Sequence, residues 1–354
     1  MGLDQRIQAF TTLGKFLSQF SSEEYTLDAN IPFNDQFFER MKETIQQAKF
    51  HNGWFTENNI QFAFQSWSEA LTEDNLKAWT TQYKFNTQPT KTVAIIMAGN
   101  IPLVGFHDFL SVLITGNNVL AKLSSNDKIL LPIIAEYLNS INSSFKEKIE
   151  FTSEKLENFD AVIATGSNNT ARYFDYYFGK YPNIIRKNRN SIAIITGNET
   201  PDQLKALSND IFRYYGLGCR NVSKIYFPEN YNYDSFFNAM FHWKEIINET
   251  KYMNNYDYNK AVYLMSIIKL LDNEYMLLKE DEQFSSPISV VFYETYSDTI
   301  LLKEKLAANE ANIQCVVSEI GIENEIAFGN TQNPQLWDYA DGIDTVDFLL
   351  KLKQ

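Results

Sequence analysis

Two short apolar runs with a helical pattern between them, within residues 92–125, constrain the fold more than any other part of the chain. The first run, residues 93–97, contains no polar side chain, which is typical of a strand buried on both faces of a parallel sheet. A helical pattern follows, with Pro102 in its first turn and Gly116 at its end, where proline and glycine are favoured. A second apolar strand occupies residues 119–123. This order of elements predicts a doubly wound parallel sheet in an α/β fold.

The carboxyl ends of these strands are the expected ligand-binding positions. In doubly wound sheets, ligands bind where strands end and the following helices begin. Asn100 follows the first predicted strand, and residues 122–125 follow the second strand. We therefore expect Asn100, Lys122, Ser124 and Ser125 to belong to a binding site.

Apolar runs alternate with helical patterns over most of the remaining chain, which extends the α/β organisation. We assign residues 1–196 to N-terminal helices and a first α/β domain, and residues 197–330 to a second α/β domain. Residues 331–354 predict a helix and a short terminal strand that pack back on the rest. Further strands are predicted at residues 149–152, 160–167, 191–196, 222–227, 289–293 and 313–318, and further helices at 130–141, 169–178, 201–215 and 299–308.

Composition and charge exclude several classes of partner. The net charge of −13 argues against nucleic acid and anionic membranes, because both bind basic surfaces. No run of about 18 apolar residues occurs, so no transmembrane helix is predicted. The N-terminus lacks the apolar core of a secretory signal, and the two cysteines, Cys219 and Cys315, lie far apart in sequence. This usage favours a protein of the reducing cytoplasm.

Several familiar catalytic sites are missing from the sequence. The three histidines, His51, His107 and His242, include no pair at zinc-binding spacing, and His107 is interpreted as a structural helix residue. No P-loop and no serine nucleophile elbow occur, and the turn at residues 216–221 lacks the third glycine of a dinucleotide fingerprint. These exclusions leave Cys219 as the remaining candidate for covalent chemistry.

Two interpretations of Cys219 follow from its local sequence. The residue comes after the turn Gly216-Leu-Gly218 and before Arg220, with Lys224 nearby, and cations lower the pKa of a thiol. A thiolate at this position would be a nucleophile for acyl transfer. The alternative is a small cysteine buried in the core, which is also our interpretation of Cys315.

A series of short motifs runs through residues 100–344 in one order. The motifs are Asn100-Ile-Pro102, Gly116-Asn-Asn-Val-Leu-Ala-Lys122-Leu-Ser124, Thr165-Gly166-Ser167, Gly216-Leu-Gly-Cys219, Glu282-Gln-Phe284 with Pro287, Phe328-Gly329 and Asp338-Tyr-Ala-Asp-Gly-Ile-Asp344. Together they resemble the aldehyde dehydrogenase superfamily, and in particular its acyl-CoA reductase branch, typified by the fatty-acid reductase of bacterial luminescence. The resemblance covers residues 90–354, and the shared order of the motifs makes it specific.

The resemblance implies a fold and a role for each motif. It implies an aldehyde dehydrogenase-like fold with two α/β domains, in which the doubly wound sheet of residues 1–196 binds NADPH and residues 197–330 carry the catalytic cysteine. Cys219 would be the nucleophile, and the amide of Asn100 would line the oxyanion hole. The residues that the resemblance assigns to the cofactor are Lys122, Ser124, Ser125, Thr165, Gly166, Ser167, Glu282 and Phe284.

Two positions depart from the pattern of the superfamily. NAD-preferring relatives carry a glutamate where Ser125 stands, and a serine can donate to the 2′-phosphate that a carboxylate would repel. The hydrolytic branch keeps its general base near a stretch that reads Arg186-Lys187-Asn-Arg189 in this chain. The resemblance therefore implies NADPH as the cofactor and no activation of water against the thioester. Arg186, Lys187 and Arg189 form a basic cluster. It is interpreted either as a site for phosphates of CoA or NADPH, with Arg186 and Lys187 as substrate residues, or as a solvated turn.

These observations predict a reductase of fatty-acid metabolism that converts an acyl-CoA of medium or long chain to an aldehyde with NADPH, through a cysteine-bound thioester. The alternatives are an acyl-phosphate-reducing or aldehyde-oxidising enzyme of the same fold, and a catalytically inactive nucleotide- or acyl-binding protein. The aromatic block at residues 230–280 is interpreted either as a wall of the acyl pocket or as core. A terminal strand predicted at residues 346–351 would help to build a homodimer, as in relatives.

Overall fold

The computed structural model describes residues 1–85 and 89–352 of the 354-residue chain. Residues 86–88 of the predicted N-terminal domain and residues 353–354 of the predicted C-terminal segment lie outside the described residues. The chain divides into two units, one of Met1–Lys187 with Gln335–Gln354 and the other of Asn188–Pro334. Each unit has its own β-sheet.

Helices and strands alternate along most of the described chain, as the sequence pattern predicted, but the strands at residues 183–186, 270–272 and 277–280 were not predicted. The α-helices are α1 (Leu3–Ser18), α2 (Asn34–His51), α3 (Glu57–Ala70), α4 (Glu73–Thr80), α5 (Phe106–Ile114), α6 (Leu130–Ile141), α7 (Asn168–Phe178), α8 (Pro201–Phe212), α9 (Tyr233–Met240), α10 (Thr250–Met265), α11 (Thr299–Ala308) and α12 (Thr345–Lys351). The strands are β1 (Thr92–Ile96), β2 (Asn118–Lys122), β3 (Ile149–Phe151), β4 (Ala161–Thr165), β5 (Asn183–Arg186), β6 (Asn190–Ile194), β7 (Val222–Pro228), β8 (Leu270–Asp272), β9 (Leu277–Glu280), β10 (Val290–Tyr296) and β11 (Ile313–Val317). Among the described residues, no helix has the length and apolar character needed to cross a membrane.

The sheet of the first unit is parallel. Within the described chain, its strands lie in the order β3-β2-β1-β4-β5. The apolar residues of β1 are buried at its centre, and Ile96 at the end of this strand pairs with Lys122 of β2 and Ala164 of β4. The predicted α/β fold with a parallel sheet is therefore confirmed. The loops that follow β1, β2 and β4 start from the same edge of this sheet.

The N-terminal helices share one hydrophobic core with this sheet. Helix α1 buries Phe10, Leu13 and Phe16, because its apolar side chains recur every three or four residues. Phe16 stacks on Tyr137 of α6, with 4.0 Å between the ring centroids. The N-terminal helical region is therefore an integral part of the first unit.

The second unit has a sheet of its own, to which β6 belongs. Within the described residues, its strands lie in the order β11-β6-β7-β10-β9-β8, and only the β8–β9 pair is antiparallel. The apolar run at 191–196 was predicted to belong with the strands of the first domain, and the pairing of β6 with β7 and β11 corrects this placement. An apolar run predicts a buried strand, but it contains no information about which sheet receives that strand.

The C-terminal segment forms a helix, and the terminal strand predicted at residues 346–351 is wrong. Asp344 caps α12, because its carboxylate accepts a hydrogen bond from the Asp347 N–H (2.8 Å). Val346 and Leu349 are buried at a helical spacing of three residues, and α12 packs against α5. This segment of 7 residues is too short for helical and strand periods to be told apart in the sequence.

Two helix boundaries also differ from the prediction. Helix α5 begins at Phe106, so Pro102 lies in the loop before the helix and not in its first turn. Helix α8 ends at Phe212, before the predicted end at Tyr215. Both helices adjoin segments with left-handed backbone, at Leu103 in the first case and at Tyr215 in the second. Such conformations end regular helices, and the residue types at these positions do not predict them.

Candidate active site

The turn that carries Cys219 joins α8 to β7 in the second unit. Before it, Tyr214, Tyr215 and Gly216 have left-handed φ angles of 55°, 59° and 75°. A left-handed backbone is unfavourable for tyrosine, so contacts from outside the segment must hold it in this conformation. Cys219 itself is exposed, whereas Cys315 is buried in β11 as predicted.

Two buried polar side chains hold the backbone of the Cys219 turn. The Asn221 side chain accepts a hydrogen bond from the Gly218 N–H (2.8 Å) and donates to the Arg213 carbonyl (2.8 Å). The hydroxyl of Ser191 in β6 donates to the Cys219 carbonyl (2.9 Å). Neither side chain was identified from the sequence. The role of Asn221 could have been suspected, because it follows two closely spaced glycines and asparagine side chains often hydrogen-bond to the backbone of turns.

The cations near Cys219 in sequence have different environments. Lys224 is buried in β7, where its ammonium pairs with Glu294 and donates to the Asp281 carbonyl. Burial lowers the pKa of Lys224, and the Glu294 carboxylate opposes that shift. Glu294 balances the charge of Lys224. Of the two cations considered from the sequence, Arg220 is therefore the one that would favour a thiolate at Cys219.

Asn100 lies in an irregular loop between β1 and α5, and two buried side chains hold this loop. The amide of Asn52 donates to the Gly99 carbonyl (3.1 Å), and the Leu103 N–H donates to the Asp127 carboxylate (3.0 Å). Burial raises the pKa of Asp127 to about 6, although the hydrogen bond from Leu103 acts in the opposite direction. Neither Asn52 nor Asp127 was identified from the sequence, because the contact of Asn52 spans 47 positions and that of Asp127 spans 24.

Three loops at one edge of the first sheet contain the residues that were predicted to belong to the site in this unit. The cofactor residues lie at the ends of β2 and β4 and in the loops that follow, at positions 122–125 and 165–167, and the loop after β1 carries Asn100, which was predicted to line the oxyanion hole. The loops after β1 and β2 are in close contact, because a Cβ atom on Gly99 would lie 2.5 Å from the hydroxyl oxygen of Ser124. The structure thus brings the predicted residues of the first unit to one edge, where ligands of parallel sheets bind.

The polar groups at this edge fit a dinucleotide cofactor. The Lys122 ammonium donates to the Glu154 carbonyl (3.1 Å), and Ser125 is exposed. The Ser167 hydroxyl oxygen accepts a hydrogen bond from the Thr170 N–H (3.3 Å) and so caps α7. Ammonium groups, hydroxyls and the N–H groups of a helix N-terminus are common donors to ribose and phosphate oxygens.

The two residues predicted at the nicotinamide ribose lie between β9 and β10 in the second unit. Glu282 is exposed to solvent, and Phe284 is half-buried. The Phe284 carbonyl accepts a hydrogen bond from the hydroxyl of Ser223 (2.7 Å), which stands in β7 shortly after the Cys219 turn. The structure therefore connects Phe284 to the strand that follows the candidate nucleophile, and it leaves Glu282 in solvent.

Arg186 is buried at the end of β5 in the first unit. Its guanidinium forms an ion pair with Asp108 of α5 and donates to the hydroxyl oxygen of Thr345 in α12 (3.0 Å). Lys187, by contrast, is exposed. Because Arg186 is engaged inside its unit, we retain the phosphate-binding hypothesis for Lys187 alone.

His107 has a structural environment, as predicted. The side chain is half-buried, its Nε2 atom is hydrogen-bonded to the Leu336 carbonyl (2.9 Å), and its ring stacks on Trp67. Burial lowers the pKa of His107, so the neutral ring is favoured. Through this hydrogen bond, His107 connects the segment after Pro334 to α5.

A narrow cleft in the second unit borders the Cys219 turn. Tyr215 lines it from the segment before the cysteine, and Val222 lines it from the strand after the cysteine. The aromatic block at residues 230–280 contributes Tyr252 and Met276 to the same cleft. These side chains are mainly apolar, so the lining suits a hydrocarbon group better than a charged group.

Comparison with known protein families gives a match over most of the chain. The sequence model described as acyl-CoA reductase (LuxC) matches residues 10–242. The search of curated proteins, in contrast, gives no match. The family match runs from the middle of α1 to just after α9 and includes Asn100 and Cys219.

Solved structures of aldehyde dehydrogenases have the same fold at low sequence identity. Aldehyde dehydrogenase 21 from Physcomitrella patens, in complex with the reaction product succinate, has a TM-score of 0.68 at 14% identity, with 100% of this chain and 85% of that chain covered. The indole-3-acetaldehyde dehydrogenase AldA of P. syringae, a mutant in complex with NAD+ and IAA, has a TM-score of 0.63 at 12% identity, with 92% and 74% covered. An NAD-dependent benzaldehyde dehydrogenase from Corynebacterium glutamicum also has a TM-score of 0.63, at 11% identity, with 90% and 76% covered. These likenesses confirm the predicted aldehyde dehydrogenase-like fold.

Proposed function

Because this chain belongs to the acyl-CoA reductase (LuxC) family, we propose that it reduces the acyl group of an acyl-CoA to an aldehyde with NADPH. One observation carries the proposal: in a chain of this family, Cys219 is exposed on a turn that Asn221 and Ser191 hold in place. A fixed, accessible thiol is what a thioester intermediate requires. In the balanced reaction, acyl-CoA, NADPH and a proton give the aldehyde, free CoA and NADP+.

The proposed chemistry centres on the sulfur of Cys219. Its thiolate attacks the carbonyl carbon of acyl-CoA, and the tetrahedral oxyanion then expels the CoA thiolate, which leaves the acyl group on Cys219. On the family resemblance, the Cys219 N–H and the Asn100 amide are assigned as donors to that oxyanion. When bound, NADPH supplies a hydride to the thioester carbonyl carbon. The Cys219 sulfur is then the leaving group that releases the aldehyde.

The proposed cofactor site uses the donors at the edge of the first sheet. We assign Lys122 and Ser124 to the adenosine ribose and residues 165–167, with the N-terminus of α7, to the pyrophosphate. The exposed Ser125 is placed at the 2′-phosphate, because a hydroxyl can donate to it and a carboxylate would repel it. This assignment favours NADPH over NADH.

The cleft beside the Cys219 turn is the proposed position of the acyl chain. Its apolar side chains, such as Tyr252 and Met276, favour a hydrocarbon. Each methylene group that becomes buried contributes about 0.8 kcal/mol, so catalytic efficiency should rise with chain length until the cleft is filled. The choice of a medium or long acyl chain rests on the resemblance to the fatty-acid reductase branch, and the cleft contributes the apolar lining.

The direct test is an assay of NADPH oxidation across acyl-CoA substrates from acetyl-CoA to palmitoyl-CoA. The aldehyde is trapped as a hydrazone and quantified by mass spectrometry, and we expect one aldehyde for each NADPH oxidised. Parallel reactions with an acyl phosphate, and with an aldehyde and NADP+, separate the two alternatives that share this fold. If NADPH binds in a titration but no acyl donor yields aldehyde, the proposal is rejected in favour of a binding protein.

A further inference from the structure

A buried carboxylate on α8 binds a distant loop of the second unit. Asp210 accepts hydrogen bonds from the Gly329 N–H (2.6 Å), the Thr331 N–H (3.0 Å) and the Thr331 hydroxyl (2.8 Å). Both Asp210 and Thr331 are fully buried. Gly329 has a φ of 85°, and a Cβ atom there would lie 2.9 Å from the Cβ of Ala206 in α8. The loop at residues 329–331 is therefore fixed tightly to α8.

This fixed loop is connected to the residue after Cys219. The Thr331 carbonyl accepts a hydrogen bond from the guanidinium Nε–H of Arg220. Asp210 holds Thr331 through the Thr331 N–H and hydroxyl, and the Thr331 carbonyl in turn holds the Arg220 side chain. The path from the buried carboxylate to the neighbour of Cys219 consists of direct hydrogen bonds.

A second path leads from Asp210 to the residue before Cys219. The backbone carbonyl of Asp210 accepts a hydrogen bond from the Asn221 amide (3.1 Å). The same Asn221 side chain accepts the N–H of Gly218 (2.8 Å). Both neighbours of Cys219 are consequently connected to one residue of α8.

At position 210, a neutral amide could also accept hydrogen bonds from the loop, and it would not place a buried charge on α8. Burial raises the pKa of Asp210 to about 6, although the hydrogen bonds from Gly329 and Thr331 and the charge of Arg220 act in the opposite direction. At neutral pH the buried side chain is therefore ionised, at a cost that a neutral amide would avoid. Arg220 is the cation that this negative charge attracts.

We propose that Asp210 is a positioning residue for Cys219. It acts through Thr331 to hold the Arg220 guanidinium at the turn that carries Cys219. The inference rests on the proposed role of Cys219 as nucleophile. Arg220 follows Cys219 directly in the chain, and a cation near a thiol favours its thiolate form. Loss of the Asp210 charge should therefore make Cys219 less reactive without removing any atom of the turn.

The test measures the reactivity of Cys219 alone, in the full-length protein. The rate of carboxamidomethylation by iodoacetamide is followed from pH 6 to pH 10 by mass spectrometry of the Cys219 peptide, so neither acyl-CoA nor NADPH is needed. We expect Asp210→Asn to raise the apparent pKa of the thiol by about 0.5–1 unit and to slow alkylation at neutral pH about 3- to 10-fold. Asp202→Asn, a change of the same kind at an exposed position of α8, is the matched control and should leave the profile unchanged.

Further variants separate positioning from folding. Arg220→Gln should reproduce the slower alkylation, Arg220→Lys should restore part of the rate, and Thr331→Val should give an intermediate effect because it removes a single donor to Asp210. If Asp210→Asn does not fold, Thr331→Val and Arg220→Gln decide the question. An unchanged alkylation profile in a folded Asp210→Asn or Arg220→Gln variant would overturn the inference. A protein that fails to reduce acyl-CoA but still shows the predicted alkylation profiles would contradict the proposed function and not this inference.

Discussion

Cys219 and Cys315 differ sharply at the scale of single residues, because one is exposed in an anchored turn and the other is buried in β11. We predict that Cys219→Ala abolishes acyl-enzyme formation, since it removes the sulfur that forms the thioester. Cys315→Ala is the matched control and should be acylated like the unmodified protein. Peptide mass spectrometry after incubation with acyl-CoA in the absence of NADPH measures the adduct. An adduct on Cys315 would show that the nucleophile was assigned to the wrong cysteine.

Ser125 is the residue on which the proposed cofactor preference depends. We predict that Ser125→Glu shifts the ratio of kcat/KM for NADPH and NADH toward NADH by about 10- to 150-fold, the equivalent of one charge-assisted hydrogen bond of about 1.5–3 kcal/mol. Ser22→Glu adds the same charge at an exposed serine of the loop between α1 and α2 and should leave the ratio unchanged. Steady-state kinetics with both cofactors give the measurement. Equal efficiencies with NADH and NADPH in the unmodified protein would count against this assignment.

Asp127 should leave a signature in the pH dependence of stability. Burial raises its pKa to about 6, above the ~3.9 of an unfolded chain, so the folded state binds this proton more tightly. The contribution of Asp127 to stability is therefore full below about pH 4 and is lost as the pH rises to about 6.

We predict that Asp127→Asn removes this loss. Relative to the unmodified protein, the free energy of unfolding of the variant should increase by about 1–3 kcal/mol between about pH 4 and pH 7. Urea denaturation at several pH values gives the difference, and Asp175→Asn at an exposed position of α7 is the control. A difference that does not vary with pH would mean that Asp127 is not held in a raised-pKa environment.

At the scale of elements, sequence patterns predicted strands better than they predicted boundaries. The strands β1, β2 and β4 were predicted because each contains a run of consecutive apolar residues, which indicates a buried strand. The first residue of α5 was not predicted correctly, because the loop before this helix is held by Asn52 and Asp127, which lie far away in sequence. The C-terminal helix was mistaken for a strand because its apolar residues fit both periods.

Arg186 connects β5 with α5 and α12, and its removal should destabilise the first unit. We predict that Arg186→Ala lowers the free energy of unfolding by about 3–5 kcal/mol, because the Asp108 carboxylate would remain buried without its counter-charge. Lys187→Ala, at the exposed next position, is the control and should change it by less than about 0.5 kcal/mol. Urea denaturation followed by circular dichroism measures both. Equally small effects of the two variants would contradict a structural role for Arg186.

At the scale of the whole molecule, the fold could be predicted from sequence, and much of the candidate site could not. Apolar runs predicted most strands of the two sheets, but not β5, β8 and β9. The glycine turn and basic neighbour of Cys219 left two interpretations open, and the family resemblance assigned this residue as the nucleophile. The side chains that hold this turn, such as Ser191 and Asp210, are buried polar residues that make contacts across the fold. Their roles depend on tertiary neighbours, and a single sequence does not specify those neighbours.

The homodimer remains a prediction, and its expected structural basis has changed. Residues 345–351 form a helix that packs against α5 of the same chain, so they do not supply the intermolecular strand that was expected. We predict that sedimentation velocity at micromolar concentration shows a dimer. Deletion of residues 345–354 should lower the thermal midpoint, because it exposes the surface that Val346 and Leu349 cover. A monomer at this concentration would reject the dimer.

The first unit is discontinuous in sequence, because Gln335–Gln354 belongs to it together with Met1–Lys187. A ribosome releases the chain from its N-terminus, so every residue of the second unit emerges before α12 does. The second unit is contiguous and can therefore complete its sheet while translation continues. The first unit, although most of it emerges earlier, must wait for residues 345–351 before α12 covers α5 and Thr345 reaches Arg186. Synthesis of residues 335–354 is thus the step that completes the unit whose first residues are made earliest.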